Sequence, residues 1–131
     1  MHDHHISVFP VPVTDPARSK AFYTDVLGFE VVIENDLGSG LRWTMLRTPG
    51  AETAITLVTW FDTMPPGSLN GAVLSVADIE AATAELRRHG LLDDDDAIEE
   101  APWGRFVTIT DPDGNGWVVQ EDTPGFTGLT P

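Results

Sequence analysis

Val13-Thr14-Asp15-Pro16-Ala17-Arg18-Ser19-Lys20-Ala21-Phe22-Tyr23-Thr24-Asp25-Val26-Leu27-Gly28 reads as one complete helix with its start and stop signals. Asp15 can accept the free N–H groups of the first turn, and Pro16 suits the first helical position, where no N–H is needed. Phe22, Tyr23, Val26 and Leu27 fall at core-facing spacings. Gly28 supplies the left-handed residue that ends the helix. The same grammar returns at Val76-Ala77-Asp78, with Asp78 63 residues after Asp15. There the stripe is Ile79, Ala82, Thr83 and Leu86, and Gly90 closes it 62 residues after Gly28. His89, just before Gly90, complements the negative end of the helix dipole. A chain that repeats its helix signals at a fixed offset is built from two copies of one unit.

The flanking segments complete the unit. Ile6 to Val13 alternates as a strand, with Phe9, Val11 and Val13 on one face and Val8, Pro10 and Pro12 on the other. Two prolines cannot donate to a ladder, so this strand has a free edge or an interruption. Phe29–Glu34, Leu41–Arg47 and Ala54–Trp60 read as three more strands, with Asn35–Gly40 a turn-rich connection between the first two. In the second half the strands fall at Gly71–Val76, Ala97–Glu100, Arg105–Thr110 and Gly116–Glu121. Asp111-Pro112-Asp113-Gly114-Asn115-Gly116 is the strongest turn signal and implies a hairpin. The expected fold is α+β: two βαβββ modules, residues 6–61 and 71–121, joined by a linker over 62–70, within a single domain over 1–131. Each module has one helix and leaves one sheet face bare. Pairing two of them, in one chain or across a dimer, makes curved mixed sheets around a cleft.

Composition narrows the function. Seven Lys+Arg against 21 Asp+Glu gives a net charge of −14, which repels nucleic acid and anionic membranes. No apolar run approaches the ~20 residues of a membrane span, and no signal-peptide core follows Met1, so a cytoplasmic location is expected. The absence of cysteine excludes disulfides and thiolate sites. The Asp93–Asp96 run reads as a solvated, self-repelling loop. His2, His4 and His5 read as a solvated terminal tail able to catch metal adventitiously.

Phe22-Tyr23-Thr24-Asp25-Val26-Leu27-Gly28-Phe29 resembles the "FY…vLGF" segment of the vicinal oxygen chelate superfamily, which includes glyoxalases, bleomycin-resistance proteins and ring-cleaving dioxygenases. Asp111-Pro112-Asp113-Gly114-Asn115, followed by Trp117, resembles that family's "DPDGN-x-W" turn. The resemblance runs from Ile6 to Glu121 and implies a glyoxalase-like fold, commonly as a homodimer. It implies no single reaction, because the fold hosts many. Metal-dependent members hold a divalent ion with four His, Gln or Glu ligands on the first and last strands of each module. Motif spacing puts those positions at Val8, Thr56, Gly71 and Val118, which make no metal site. A register shift of two or three residues on the last strand would bring in Gln120 or Glu121.

The resemblance leaves a cleft that needs a lining. Strand parity turns Ala54, Thr56, Val58 and Trp60 inward on the fourth strand, and Gly116, Val118 and Gln120 on the last. Trp43 and Met45 alternate with them on the third strand. Trp103, Arg105 and Phe106 lie around the start of the seventh strand, within reach of the cleft mouth. Apolar and aromatic walls with few polar groups suit a small-molecule pocket. The first functional expectation is therefore a binder of a small cationic or aromatic molecule in a metal-free cleft, with no cofactor and no nucleic-acid or membrane partner. A metal-dependent glyoxalase-like lyase or dioxygenase, using Glu121 or the N-terminal histidines, is the alternative. A metal-free enzyme using Glu99, Glu100 or Glu121 as a buried acid/base group is the other.

Overall fold

The structure, a computed structural model, describes residues 1–39 and 41–125. The strand and helix order is β1 (Val8–Pro12), α1 (Pro16–Ala21), β2 (Glu30–Gly38), β3 (Leu41–Arg47), β4 (Ala54–Val58), β5 (Ala72–Ser75), α2 (Ile79–Arg88), β6 (Glu99–Ala101), β7 (Gly104–Thr110) and β8 (Gly116–Asp122). This is βαβββ twice, an α+β architecture. Two four-stranded mixed sheets result, ordered β1-β4-β3-β2 and β5-β8-β7-β6. In each, the first strand runs parallel to the fourth and the other pairings are antiparallel. The chain divides into two compact units. One is Met1–Leu69 together with the hairpin Asp111–Asn115, and the other is Asn70–Thr110 with the chain from Gly116 onward.

Both helices start as their sequences dictate. Asp15 accepts from the backbone N–H groups of Ala17 and Arg18, with Pro16 in the first turn. Asp78 does the same for Glu80 and Ala81. Glu121 adds a second acceptor at that end, taking the Ile79 N–H at 3.1 Å. The first helix continues past Ala21 as a π-helical turn over Phe22–Val26. Within it Thr24 Oγ1 donates back to the Lys20 carbonyl at 2.9 Å, a bond that loosens helical pairing. The turn buries Tyr23 completely and leaves Phe22, Val26 and Leu27 half-buried.

In the first unit α1 packs on β3 and β4. Val11, Val13, Tyr23, Phe29, Leu46, Ile55 and Leu57 are buried there. β1 lies at the sheet edge, as its prolines require. Val13 N–H bonds to the Val58 carbonyl and Ala54 N–H to the Ser7 carbonyl, so odd-numbered residues face β4. Pro10 and Pro12 fall where an N–H would point off the free edge. In the second unit α2 covers β7 and β8, burying Ile79, Leu86, Val107, Ile109, Trp117 and Val119.

Three of the differences from the expected strand boundaries bear on the site or on the pairing. β2 runs on to Gly38 through the segment expected to be a turn, with Asn35 opposite Trp43 and Asp36 opposite Arg42. It is an edge strand with register shifts near Val32 and Leu37, and such strands tolerate poor strand formers. β4 ends at Val58, so Trp60 lies beyond it, and β6 falls at Glu99–Ala101, later and shorter than expected.

The hairpin Asp111–Asn115 is more than a turn. Asp111, 5% exposed, accepts the Tyr23 hydroxyl at 2.7 Å and the Asn115 Nδ2 at 2.8 Å through Oδ2. Its Oδ1 accepts the backbone N–H groups of Asp113 and Asn115. Asn115, fully buried, also donates to the Pro12 carbonyl at 2.8 Å and accepts the Leu69 N–H at 3.0 Å. The loop thereby fastens α1, β1 and the chain after β4 with satisfied buried polar groups. Gly67 sits against it at φ +82°, where any Cβ would collide with the Asp113 carbonyl oxygen.

Candidate functional site

The face of the first sheet opposite α1 has no covering element within its unit, and it is apolar. A hollow of about 570 Å³ opens on it. Val8 and Pro10 of β1, Leu37 of β2, Leu41 and Trp43 of β3, Thr56 and Val58 of β4, and Trp60 and Phe61 beyond it form the wall. Strand parity explains the set. Thr44, Leu46, Ile55 and Leu57 turn to the helix and are buried, so Trp43, Thr56 and Val58 must turn away from it. Trp43, Trp60, Phe61, Leu37 and Leu41 keep between 39 and 51% of their surface in solvent, a large apolar exposure for one small face. The Trp60 and Phe61 rings stand 6.1 Å apart, tilted by 48°, and make an aromatic corner. Among the described residues no carboxylate, lysine or arginine lines the hollow.

The sequence-derived candidates distribute as follows. Trp43, Thr56, Val58 and Trp60 line this hollow. Met45 is the cross-strand neighbour of Thr56, half-buried and outside the lining. Leu37, Leu41 and Phe61 line it and were missed. The i+2 spacing of Leu41 and Trp43 was the available signal for one of them.

The remaining candidates belong to the second unit. Val118 lines a separate hollow of about 340 Å³ and mixed polarity, with Asn70, Thr108, Leu91 and Trp117 among its neighbours. Phe106 is half-buried opposite Gln120, whose Nε2 donates to Asp122 Oδ1 at 2.7 Å. Trp103 is 46% exposed at the β6–β7 turn. Arg105 shares its face with Val107 and Ile109, on the helix side, and not with Phe106. Its guanidinium donates to Glu80 of α2 at 3.0 Å and lies 3.8 Å from Glu100, and the Glu80 bond raises its already high pKa. Arg105 thus makes an ion pair on the helix side of its own sheet.

The positions implied for a chelated metal do not fit one. Val8 and Thr56 line the first hollow, Gly71 and Val118 the second. Three carry no donor atom, and a lone hydroxyl is a poor ligand. Among the described residues no group of three or more His, Asp or Glu comes together in ligating geometry. Glu121, the register-shift alternative, is committed to the α2 N-terminus. Glu99 and Glu100 are exposed, so neither is a buried acid/base group. Among the described residues no helix is long and apolar enough to cross a membrane.

Comparison with known proteins places this geometry. Residues 4–119 match the family model for the Glyoxalase/Bleomycin resistance protein/Dioxygenase superfamily. The structure is similar to that of TnmS3, an antibiotic binding protein from Streptomyces sp. CB03234, with a TM-score of 0.86 and 37% identity over 94% of this chain and 99% of that one. It is also similar to a glyoxalase/bleomycin resistance protein from the same strain, with a TM-score of 0.78 and 38% identity over 89% of this chain and all of that one. YaeR of Escherichia coli (strain K12) is 32% identical over 85% of this chain and 88% of its own length. Motifs, module order and family match agree: the chain belongs to the Glyoxalase/Bleomycin resistance protein/Dioxygenase superfamily.

Proposed function

We propose that this protein binds a neutral, flat aromatic small molecule against the bare face of its first sheet, without a metal. The observation that carries the reading is the hollow of about 570 Å³ walled by Trp43, Trp60, Phe61, Leu37 and Leu41. Its volume suits a drug-sized ligand, and aromatic walls favour stacking with a planar guest. A cationic guest would find no opposite charge in the lining among the described residues, so neutral guests are favoured. The donor-poor residues Val8, Thr56, Gly71 and Val118 support binding without chelation. Similarity to an antibiotic binding protein at 37% identity supports a binding role over a catalytic one. We also propose a homodimer, which the family resemblance supports, and a cytoplasmic location, which the cysteine-free composition supports.

The test is fluorescence titration with N-phenyl-1-naphthylamine, a neutral aromatic dye that brightens in apolar surroundings. Trp43→Ala and Trp60→Ala are each expected to weaken binding about tenfold, the size of one lost aromatic contact with its buried area. Unchanged affinity in both variants would refute the assignment.

A further inference from the structure

Thr56 sits on the central strand of the hollow as its one hydroxyl-bearing side chain. It is 8% exposed and makes no side-chain hydrogen bond with the described residues. Its cross-strand neighbours, Pro10 on one side and Met45 on the other, offer no polar side chain to it. The other polar side-chain atoms of the lining are the indole N–H groups of Trp43 and Trp60, which likewise have no partner there. The lining thus presents three hydrogen-bond donors and one acceptor oxygen. A ligand that dries this surface leaves those donors unsatisfied unless it brings an acceptor of its own, and a buried donor without a partner is costly.

We infer that Thr56 is the specificity-determining residue of this hollow, donating its hydroxyl hydrogen to a carbonyl-type oxygen on a neutral aromatic ligand. The inference rests on the reading of the hollow as the binding site. It adds the ligand's polar chemistry, one acceptor on an otherwise apolar frame, and the residue that reads it. Sites built to hydrogen-bond one group discriminate against analogues that lack it, because the protein's partner is then left unpaired.

The experiment is displacement of N-phenyl-1-naphthylamine by two molecules of one tricyclic frame, 9-fluorenone with its carbonyl and fluorene without it. In the unmodified protein fluorenone is expected to displace the dye at about tenfold lower concentration than fluorene, the scale of one net hydrogen bond. Thr56→Val, which keeps the side-chain shape, is expected to abolish that preference, chiefly by strengthening fluorene, which no longer buries an unpaired hydroxyl. Thr56→Ser, which keeps the hydroxyl, is expected to retain it. Equal displacement by the two molecules in the unmodified protein, or a preference that survives Thr56→Val, overturns the role of Thr56 while the hollow remains a binding site. If the dye itself fails to bind, the reading of the hollow falls and this inference with it.

Discussion

Replacing Asn115 by alanine is expected to cost this fold more than any truncation on its surface. The fully buried carboxamide makes three hydrogen bonds: to the Pro12 carbonyl at 2.8 Å, to Asp111 Oδ2 at 2.8 Å, and from the Leu69 N–H at 3.0 Å. A neutral bond contributes about 0.5–1.5 kcal/mol and one to a charged group about 1.5–3 kcal/mol, and the Pro12 and Leu69 backbone groups would be left without this partner. The expected loss is about 3–5 kcal/mol. For a chain of this size that lowers Tm by roughly 10–20 °C. Tyr23→Phe removes only the hydroxyl bonded to Asp111 at 2.7 Å, and is expected to cost about 1.5–3 kcal/mol. Thermal unfolding followed by circular dichroism reads both. An Asn115→Ala variant melting within 3 °C of the unmodified protein would refute the claim that this hairpin fastens the first unit.

Two further perturbations follow from groups on the helix side of the first sheet. Thr44 is fully buried and its hydroxyl has no partner among the described residues, so Thr44→Val is expected to stabilise the protein by about 1 kcal/mol, read as a higher urea midpoint. Lys20 Nζ and Arg42 lie 3.0 Å from the Glu34 carboxylate, and the Lys20 hydrogen bond, then that of Arg42, holds its pKa below the ordinary carboxylate value. A depressed carboxylate contributes stability above its unfolded pKa and loses it as pH falls through the folded one. Glu34→Gln is therefore expected to lower Tm at pH 7, with the gap to the unmodified protein closing below about pH 4. A gap that is constant with pH would exclude the ion pairs as its cause.

The modules were legible because their signals are local. Asp15, Asp78, Gly28 and Gly90 act within a turn of their own positions, and capping chemistry needs no tertiary partner. Part of the hollow was legible by parity, through Trp43, Thr56 and Val58, and Trp60 lines it although β4 ends before it. Leu37 was lost because Asn35 and Asp36 look like turn residues, yet pair as strand opposite Trp43 and Arg42. Phe61 was lost because it follows the end of β4, where alternation no longer applies. The Asp111–Asn115 segment was readable as a turn but not as a fastener, since its partners Tyr23 and Pro12 lie 88 and 103 residues away. The Arg105 ion pair was not legible, because its partner Glu80 lies 25 residues away on α2.

The most direct test of ligand binding on the first sheet is a ¹⁵N–¹H correlation spectrum of the four indole N–H groups during titration with N-phenyl-1-naphthylamine. The expected result is saturable movement of the Trp43 and Trp60 resonances, with Trp117, buried in the second unit, unmoved. Movement confined to Trp103 or Trp117, or no movement at all, would contradict the account.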